Sequence, residues 1–178
     1  DLIYVSISGF GEVGPWSYKP VYDPIIQALS GLCSVQGGSD ERRPRLLRTI
    51  VPDKVTALTA SQAITAALLA RSRTGEGQHV RLSMLDAIVA FLWSSDMGSQ
   101  TYVGKDISLQ RAASFLDLIY ETTTGYMAVS TMTNPQWQAF CRASGNPEWI
   151  DDPRFATTAL RDLNIDARLG LIQSAMVT

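Results

Sequence analysis

Residues 53–75 read DKVTALTASQAITAALLARSRTG, and this stretch decides the fold. From Val55 to Ala70 there is no charge, and alanine, leucine and isoleucine dominate. The run carries Thr56, Thr59, Ser61, Gln62 and Thr65, too polar and too short for a bilayer span of about 20 apolar residues. It predicts a helix buried on most sides. Arg71 and Arg73 fall in the last turn, where cations suit the helix dipole, and Gly75 ends it. Asp53 stands at its opening.

On the C-terminal side, Gln78 to Leu82 (QHVRL) alternates and predicts a strand. Ser83-Met84-Leu85-Asp86 is a helix start with a reciprocal cap, followed by the apolar run Ala87 to Trp93. On the N-terminal side, Gly37 to Arg48 is polar, holds four arginines and predicts a loop. Asp23 to Leu32 (DPIIQALSGL) opens with Asp-Pro and predicts a helix. Leu2 to Ser8 (LIYVSIS) predicts a buried strand entering a loop with Gly9, Gly11 and Gly14. Strand, helix, helix, strand, helix implies an α/β layered domain.

Ser99 to Ser114 has no clear period and reads as a linker. Beyond it, Phe115–Tyr120 and Gly125–Ser130 flank Glu121-Thr122-Thr123-Thr124 as a hairpin. Asn134-Pro135 starts a helix carrying Trp137 and Phe140 at i and i+3, most simply core residues, and Gly145-Asn146-Pro147 ends it. A last helix is expected from about Leu160 to the end of the sequence. This half reads as a separate α+β unit. With no initiator Met, and with Met176-Val177-Thr178 inside an expected helix, the expectation is an internal piece of a longer protein.

Composition narrows the chemistry. The 178 residues are 46% hydrophobic and 18% charged, with net charge −2, which calls for no nucleic acid or membrane partner. Two cysteines, Cys33 and Cys141, make no disulfide framework and point to a reducing cytoplasm. A single histidine, His79, gives neither a zinc site nor a Ser-His-Asp triad a supporting motif, and no metal site is expected. Thr74-Gly75-Glu76-Gly77-Gln78 lacks the ending of a phosphate-binding P-loop and follows a helix, so it reads as a helix-ending turn. Arg42, Arg43, Arg45 and Arg48 either grip phosphates or form a solvated loop. Asp23, Asp53 and Asp86 all sit at element starts, where a carboxylate gains about 0.3–1 kcal/mol from the helix dipole. Asp86 reads as the cap partner of Ser83, and spacing alone leaves Asp23 and Asp53 as caps or functional acids.

The stretch RTGEGQHVRLSMLDA, Arg73 to Ala87, resembles the signature of class III coenzyme A transferases, the CaiB/BaiF family. LIYVSISGFGEVGP, VYDPIIQALSGL, GYMAVS, NPQWQAFCRASG and DDPRFAT resemble the same family, in order, over nearly the whole chain. The resemblance implies part of a Rossmann-like large CoA-binding domain at 1–98, a linker at 99–114 and part of a small α+β domain at 115–178. It implies transfer of CoA between an acyl-CoA thioester and a carboxylic acid, through an aspartyl mixed anhydride and an aspartyl-CoA thioester. The family's nucleophile, an aspartate opening the long helix, falls on Asp53. Its thioester-lining segment falls on Pro20, Val21, Tyr22 and Asp23. An interlocked homodimer is implied, and activity is expected of the complete protein, not necessarily of an isolated fragment of this length. The Gly-rich loop of formyl-CoA transferases has no counterpart between Tyr102 and Phe115, which argues against a formyl or oxalyl specificity. The α-methylacyl-CoA racemases of the same fold use a His-Asp pair where this chain has Tyr22-Asp23, so racemisation ranks below transfer, as does a non-catalytic CoA-ester-binding role.

Overall fold

Pro52 sets the start of the long helix. Its ring fixes φ and its missing N–H belongs to a position that needs none, so the helix begins ahead of Asp53. In the computed structural model, which describes residues 1–37, 43–97, 103–104 and 118–177, this helix is α3, Val51–Thr74, with Asp53 in its first turn. It closes as expected on Gly75, whose φ of 76° lies in the left-handed region. The chain divides into two compact units, Asp1–Leu116 and Asp117–Thr178.

In the first unit, β1 (Tyr4–Ser8) pairs in parallel with β2 (His79–Ser83), Tyr4 opposite His79 and Ser8 opposite Ser83. Parallel strands need a long crossover, here α1 (Asp23–Leu29), α2 (Leu32–Gly37) and α3. The α/β expectation is thus met. The single helix expected from Asp23 to Leu32 is instead two, because Gly31 takes a φ of 87° and turns the chain between them. After β2, Ser83 caps α4 (Met84–Trp93) by accepting from the Asp86 N–H at 3.2 Å. Only this half of the expected reciprocal cap forms. Ile26, Leu32, Ile88 and Leu92 make the core, with Val21, Leu47, Val51 and Val55 packed against it.

Helix α3 buries Pro52, Thr56, Ala60 and Ala67. Its other flank carries no charge between residues 55 and 70 yet faces outward, with Leu58 at 67% exposure and Leu69 at 54%. The expectation of burial on most sides therefore fails within this chain: α3 has α1, α4 and β2 on one side and nothing among the described residues over the other.

The turn Gly75-Glu76-Gly77-Gln78 joins α3 to β2. A Cβ on Gly77 would lie 2.0 Å from the Leu2 carbonyl oxygen and 2.6 Å from the Leu2 nitrogen. Glycine here lets two backbones meet as Tyr4 N–H donates to Gln78 O at 2.9 Å. His79, within the strand expected from Gln78 to Leu82, opens β2. Its Nδ1 accepts from Arg81 Nε at 3.1 Å, so its Nε2 carries the proton and donates to Ser6 Oγ at 2.9 Å. The Ser6 hydroxyl in turn donates to Glu12, which also pairs with Arg81 at 2.9 Å. The Ser6 hydrogen bond, with the Arg81 charge, holds the Glu12 carboxyl below its ordinary value against the opposing effect of burial. This network ties the glycine-rich loop to the sheet.

In the second unit, β3 (Ile119–Thr122) and β4 (Gly125–Ala128) form an antiparallel hairpin. Then come α5 (Asn134–Ala143), a 3₁₀ turn at Pro147–Ile150, α6 (Thr158–Leu163) and α7 (Ile165–Met176). The reciprocal cap missing at α4 is present at α5, between Thr133 and Gln136. The expected last helix breaks in two at Asn164, whose side-chain amide donates to Leu160 O at 2.9 Å and Arg154 O at 3.3 Å. Trp137 and Cys141 are fully buried with Tyr120, Phe155 and Ile172, and Phe140 packs beside them. The linker expected at 99–114, and residues 115–117 of the hairpin's first arm, lie outside the described residues apart from 103 and 104.

Candidate functional site

The site is assembled by a buried aspartate. Asp23 opens α1 and is only 4% exposed. It does not cap its own helix. Its Oδ1 accepts from Gln27 Nε2 at 2.6 Å, and its Oδ2 accepts from the Asp53 backbone N–H at 3.4 Å, thirty residues along the chain. Gln27, itself buried, also donates to Thr49 O at 3.2 Å and accepts from Leu47 N–H at 2.9 Å. One carboxylate and one amide thus lock the start of α1 to the start of α3.

This places the expected site residues. Asp53 lies in the first turn of α3, exposed, and its carboxylate has no hydrogen bond or ion pair among the described residues. Tyr22, next to Asp23 in the chain, is 81% exposed. Val21 is half-buried against the core, and Pro20 is exposed. A Cβ on Gly9 would lie 2.0 Å from Val21 Cγ1, so this glycine admits Val21 just beyond the end of β1. Tyr22, Asp23 and Asp53 are therefore gathered at the carboxyl end of β1. In open α/β sheets, ligands bind at the carboxyl ends of the strands. The Gly75–Gln78 turn lies at the other end of α3, whose 24 residues extend about 36 Å. An open hollow of about 360 Å³ bounded by Leu2, Tyr4, Gly77 and His79 belongs to that far end.

The first turn of α3 has no donor to spare. Val51 N–H goes to Thr49 O, Pro52 has none, Asp53 N–H goes to Asp23 and Lys54 N–H goes to Ile50 O. The helix start can favour a carboxylate through its dipole, but it leaves no free N–H for a developing oxyanion. Lys54 Nζ is held by Thr49 Oγ1 at 2.8 Å. Burial, reinforced by the Asp23 charge, pushes the Cys33 thiol up. Cys33 is therefore a packed side chain and not a second nucleophile.

Gln27 was not singled out in the sequence. The legible sign was Asp23 and Gln27 at i and i+4, a spacing that lets side chains meet on a helix. Asp23→Ala removes an acceptor shared by two donors, one of them a buried amide. We expect a stability loss of about 1–3 kcal/mol, read from urea unfolding. Asp23→Asn should recover only part, since its side chain has one carbonyl oxygen to serve both donors. Equal stability of Asp23→Ala and the parent would show that the link is not formed.

Comparison with known proteins adds a family. The model of CoA-transferase family III matches residues 1–177. The chain is 31% identical over 181 residues to acetyl-CoA:oxalate CoA-transferase of Acetobacter aceti, covering 98% of this chain and 46% of that protein. It is 32% identical over 169 residues to succinyl-CoA:glutarate CoA-transferase of Mus musculus, covering 92% and 38%. The crystal structure of a CaiB/BaiF family protein from Brucella suis superposes with a TM-score of 0.74 at 28% identity, covering 98% of this chain and 47% of that one. The chain thus spans less than half the length of the relatives it matches.

Proposed function

The chain belongs to CoA-transferase family III, and from that premise we propose that it carries the acyl-accepting half of a CoA transferase site, with Asp53 as nucleophile. The observation that supports this most is the pairing of a buried and an exposed aspartate. Asp23 is used up in holding the backbone, while Asp53 stands unpaired at the same place. A carboxylate attacks a thioester because the thiolate leaves readily. An Asp53 oxygen would bond to the acyl carbonyl carbon as the C–S bond breaks, giving a mixed anhydride and CoA thiolate. The thiolate would then attack the aspartyl carbonyl, release the donor acid and leave an aspartyl-CoA thioester. An acceptor carboxylate would run the same two steps in reverse and free Asp53.

The substrates on this reading are an acyl-CoA and a carboxylic acid. Tyr22, Val21 and Pro20 would line the thioester, and Asp23 would position the nucleophile. The named relatives act on acids such as oxalate and glutarate, so the expectation against an oxalyl specificity is not carried forward. The same reading takes a second copy of the chain as partner in the family's interlocked manner, a Rossmann-like large domain and the cytoplasm. Two buried free thiols fit that compartment, and no described helix is long and apolar enough to cross a membrane. A racemase-type pair finds no support, because His79 opens β2 at the far end of α3 from Asp53.

The test is trapping. The complete gene product, incubated with an acyl-CoA and quenched with hydroxylamine, should carry a hydroxamate mass shift on the peptide containing Asp53. A shift on another acidic residue, or none during turnover, would overturn the assignment.

A further inference from the structure

The segment RPRLLRTIVPDK, residues 43–54, has four cations and one acid, Asp53. Lys54 is engaged with Thr49, but Arg43, Arg45 and Arg48 are exposed and make no ion pair or side-chain hydrogen bond among the described residues. Arg42, the fourth arginine of the cluster, lies outside the described residues. The segment is fastened at several points. The backbone at Arg43 and Pro44 passes so near Gly37 that a Cβ there would lie 3.3 Å from Arg43 O. Arg45 N–H donates to Cys33 O at 2.9 Å, and Leu47 N–H to Gln27 Oε1 at 2.9 Å. Gln27 also holds Thr49 O. The amide that fixes Asp23, and through it Asp53, therefore fixes both backbone neighbours of Arg48. Ahead of this point lies an open hollow of about 450 Å³ lined by Arg43, Pro44, Arg45 and Leu46, with guanidinium and apolar walls together.

We infer that this loop is an anion subsite of the Asp53 site, taking the second carboxylate of a dicarboxylic acid substrate. The inference rests on the reading of Asp53 as nucleophile. A reacting carboxylate must meet Asp53, and a second one on a short carbon chain must then find a cation nearby. Arg48 is on the strip of backbone clamped to the start of α3, and Arg43 and Arg45 extend the positive surface into the hollow. A guanidinium fork suits a carboxylate in bidentate fashion, and Pro44 and Leu46 suit the methylenes between the two acid groups. A phosphate offers the same anionic chemistry. In a CoA ester, though, the phosphates stand a whole pantetheine arm from the sulfur, whereas Arg48 is five residues from Asp53, between two backbone groups that Gln27 holds.

Calorimetric binding to the complete gene product tests this, with succinate, glutarate, butyrate and CoA as probes. The parent protein should bind succinate or glutarate at least about tenfold more tightly than butyrate. Arg48→Gln, and separately Arg43→Gln with Arg45→Gln, should erase that preference while leaving butyrate and CoA affinities unchanged. No dicarboxylate preference in the parent, or an unaltered preference in both variants, would overturn the subsite. A loss confined to CoA would overturn it in favour of phosphate binding. Binding requires no acyl transfer, so a dicarboxylate preference without a trapped adduct at Asp53 refutes the nucleophile alone. A trapped adduct without the preference refutes the subsite alone.

Discussion

Asp53→Asn in the complete gene product is expected to lower kcat for CoA transfer by at least about 10³-fold and to leave the fold intact. The two effects separate because the side chain and the backbone of this residue do different things. The carboxylate is exposed and unpaired among the described residues, so replacing it with an isosteric amide disturbs no contact, and stability should stay within about 0.5 kcal/mol. The N–H to Asp23 is part of the backbone and survives. On the proposed mechanism what is lost is the nucleophile, since a carboxamide forms no mixed anhydride with a thioester. Initial rates with an acyl-CoA donor, alongside urea unfolding, provide the check. Activity within tenfold of the parent would rule out the covalent route through Asp53. A variant that unfolds would mean its side chain supports the helix after all.

Trp137→Ala should cost the second unit about 3–5 kcal/mol, enough to remove its cooperative unfolding transition. Trp137 is 1% exposed. It stacks on Phe140 at 6.1 Å, tilts against Phe155 at 5.5 Å and lies under the Arg161 guanidinium at 6.0 Å. Arg161, 1% exposed, holds three parts of the unit by donating to Phe155 O, Asn134 Oδ1 and Thr158 Oγ1. Without the ring, Arg161 faces a cavity. The indole N–H has no hydrogen-bond partner among the described residues, so Trp137→Phe keeps most of the packing while removing a buried donor. It should cost markedly less than Trp137→Ala. Similar losses for the two variants, by urea unfolding followed through the hairpin amides in NMR, would show that the N–H is satisfied and that its loss dominates.

The order of elements was legible because each carries a local signal. The charge-free run at 55–70 gives α3, the alternation QHVRL gives β2, and Ser83 and Asp86 give the start of α4. The misplaced boundaries have local causes too: Pro52 starts α3 earlier than the charge pattern suggests, Gly31 divides α1 from α2, and Asn164 divides α6 from α7. Apart from the family resemblance, which pointed to Asp53 and to residues 20–23, the residue pattern showed the site only as a set of aspartates at element starts. Their difference is tertiary. Nothing local in Asp-Pro-Ile-Ile-Gln or in Val-Pro-Asp-Lys says that one carboxylate will be buried under the other's backbone, because the contact closes over thirty residues. The arginine loop was read as either phosphate-binding or solvated. Its fastening by Cys33 O and Gln27 Oε1 appears only once the helices are in place.

The two-handed amide of Gln27 makes this scaffold a starting point for an acid-gated enzyme. In Gln27→Glu, two carboxyl groups would face each other in a buried space where the amide now sits 2.6 Å from Asp23. Such a pair holds one proton between them, and its second ionisation is driven up by charge repulsion and burial. The folded pKa is then above the unfolded one, so the engineered clamp closes at low pH and is lost as pH rises through that elevated value. If Asp53 is the nucleophile, as proposed, turnover should switch off in the same direction, and a pH–rate profile of Gln27→Glu in the complete gene product beside the parent would display it.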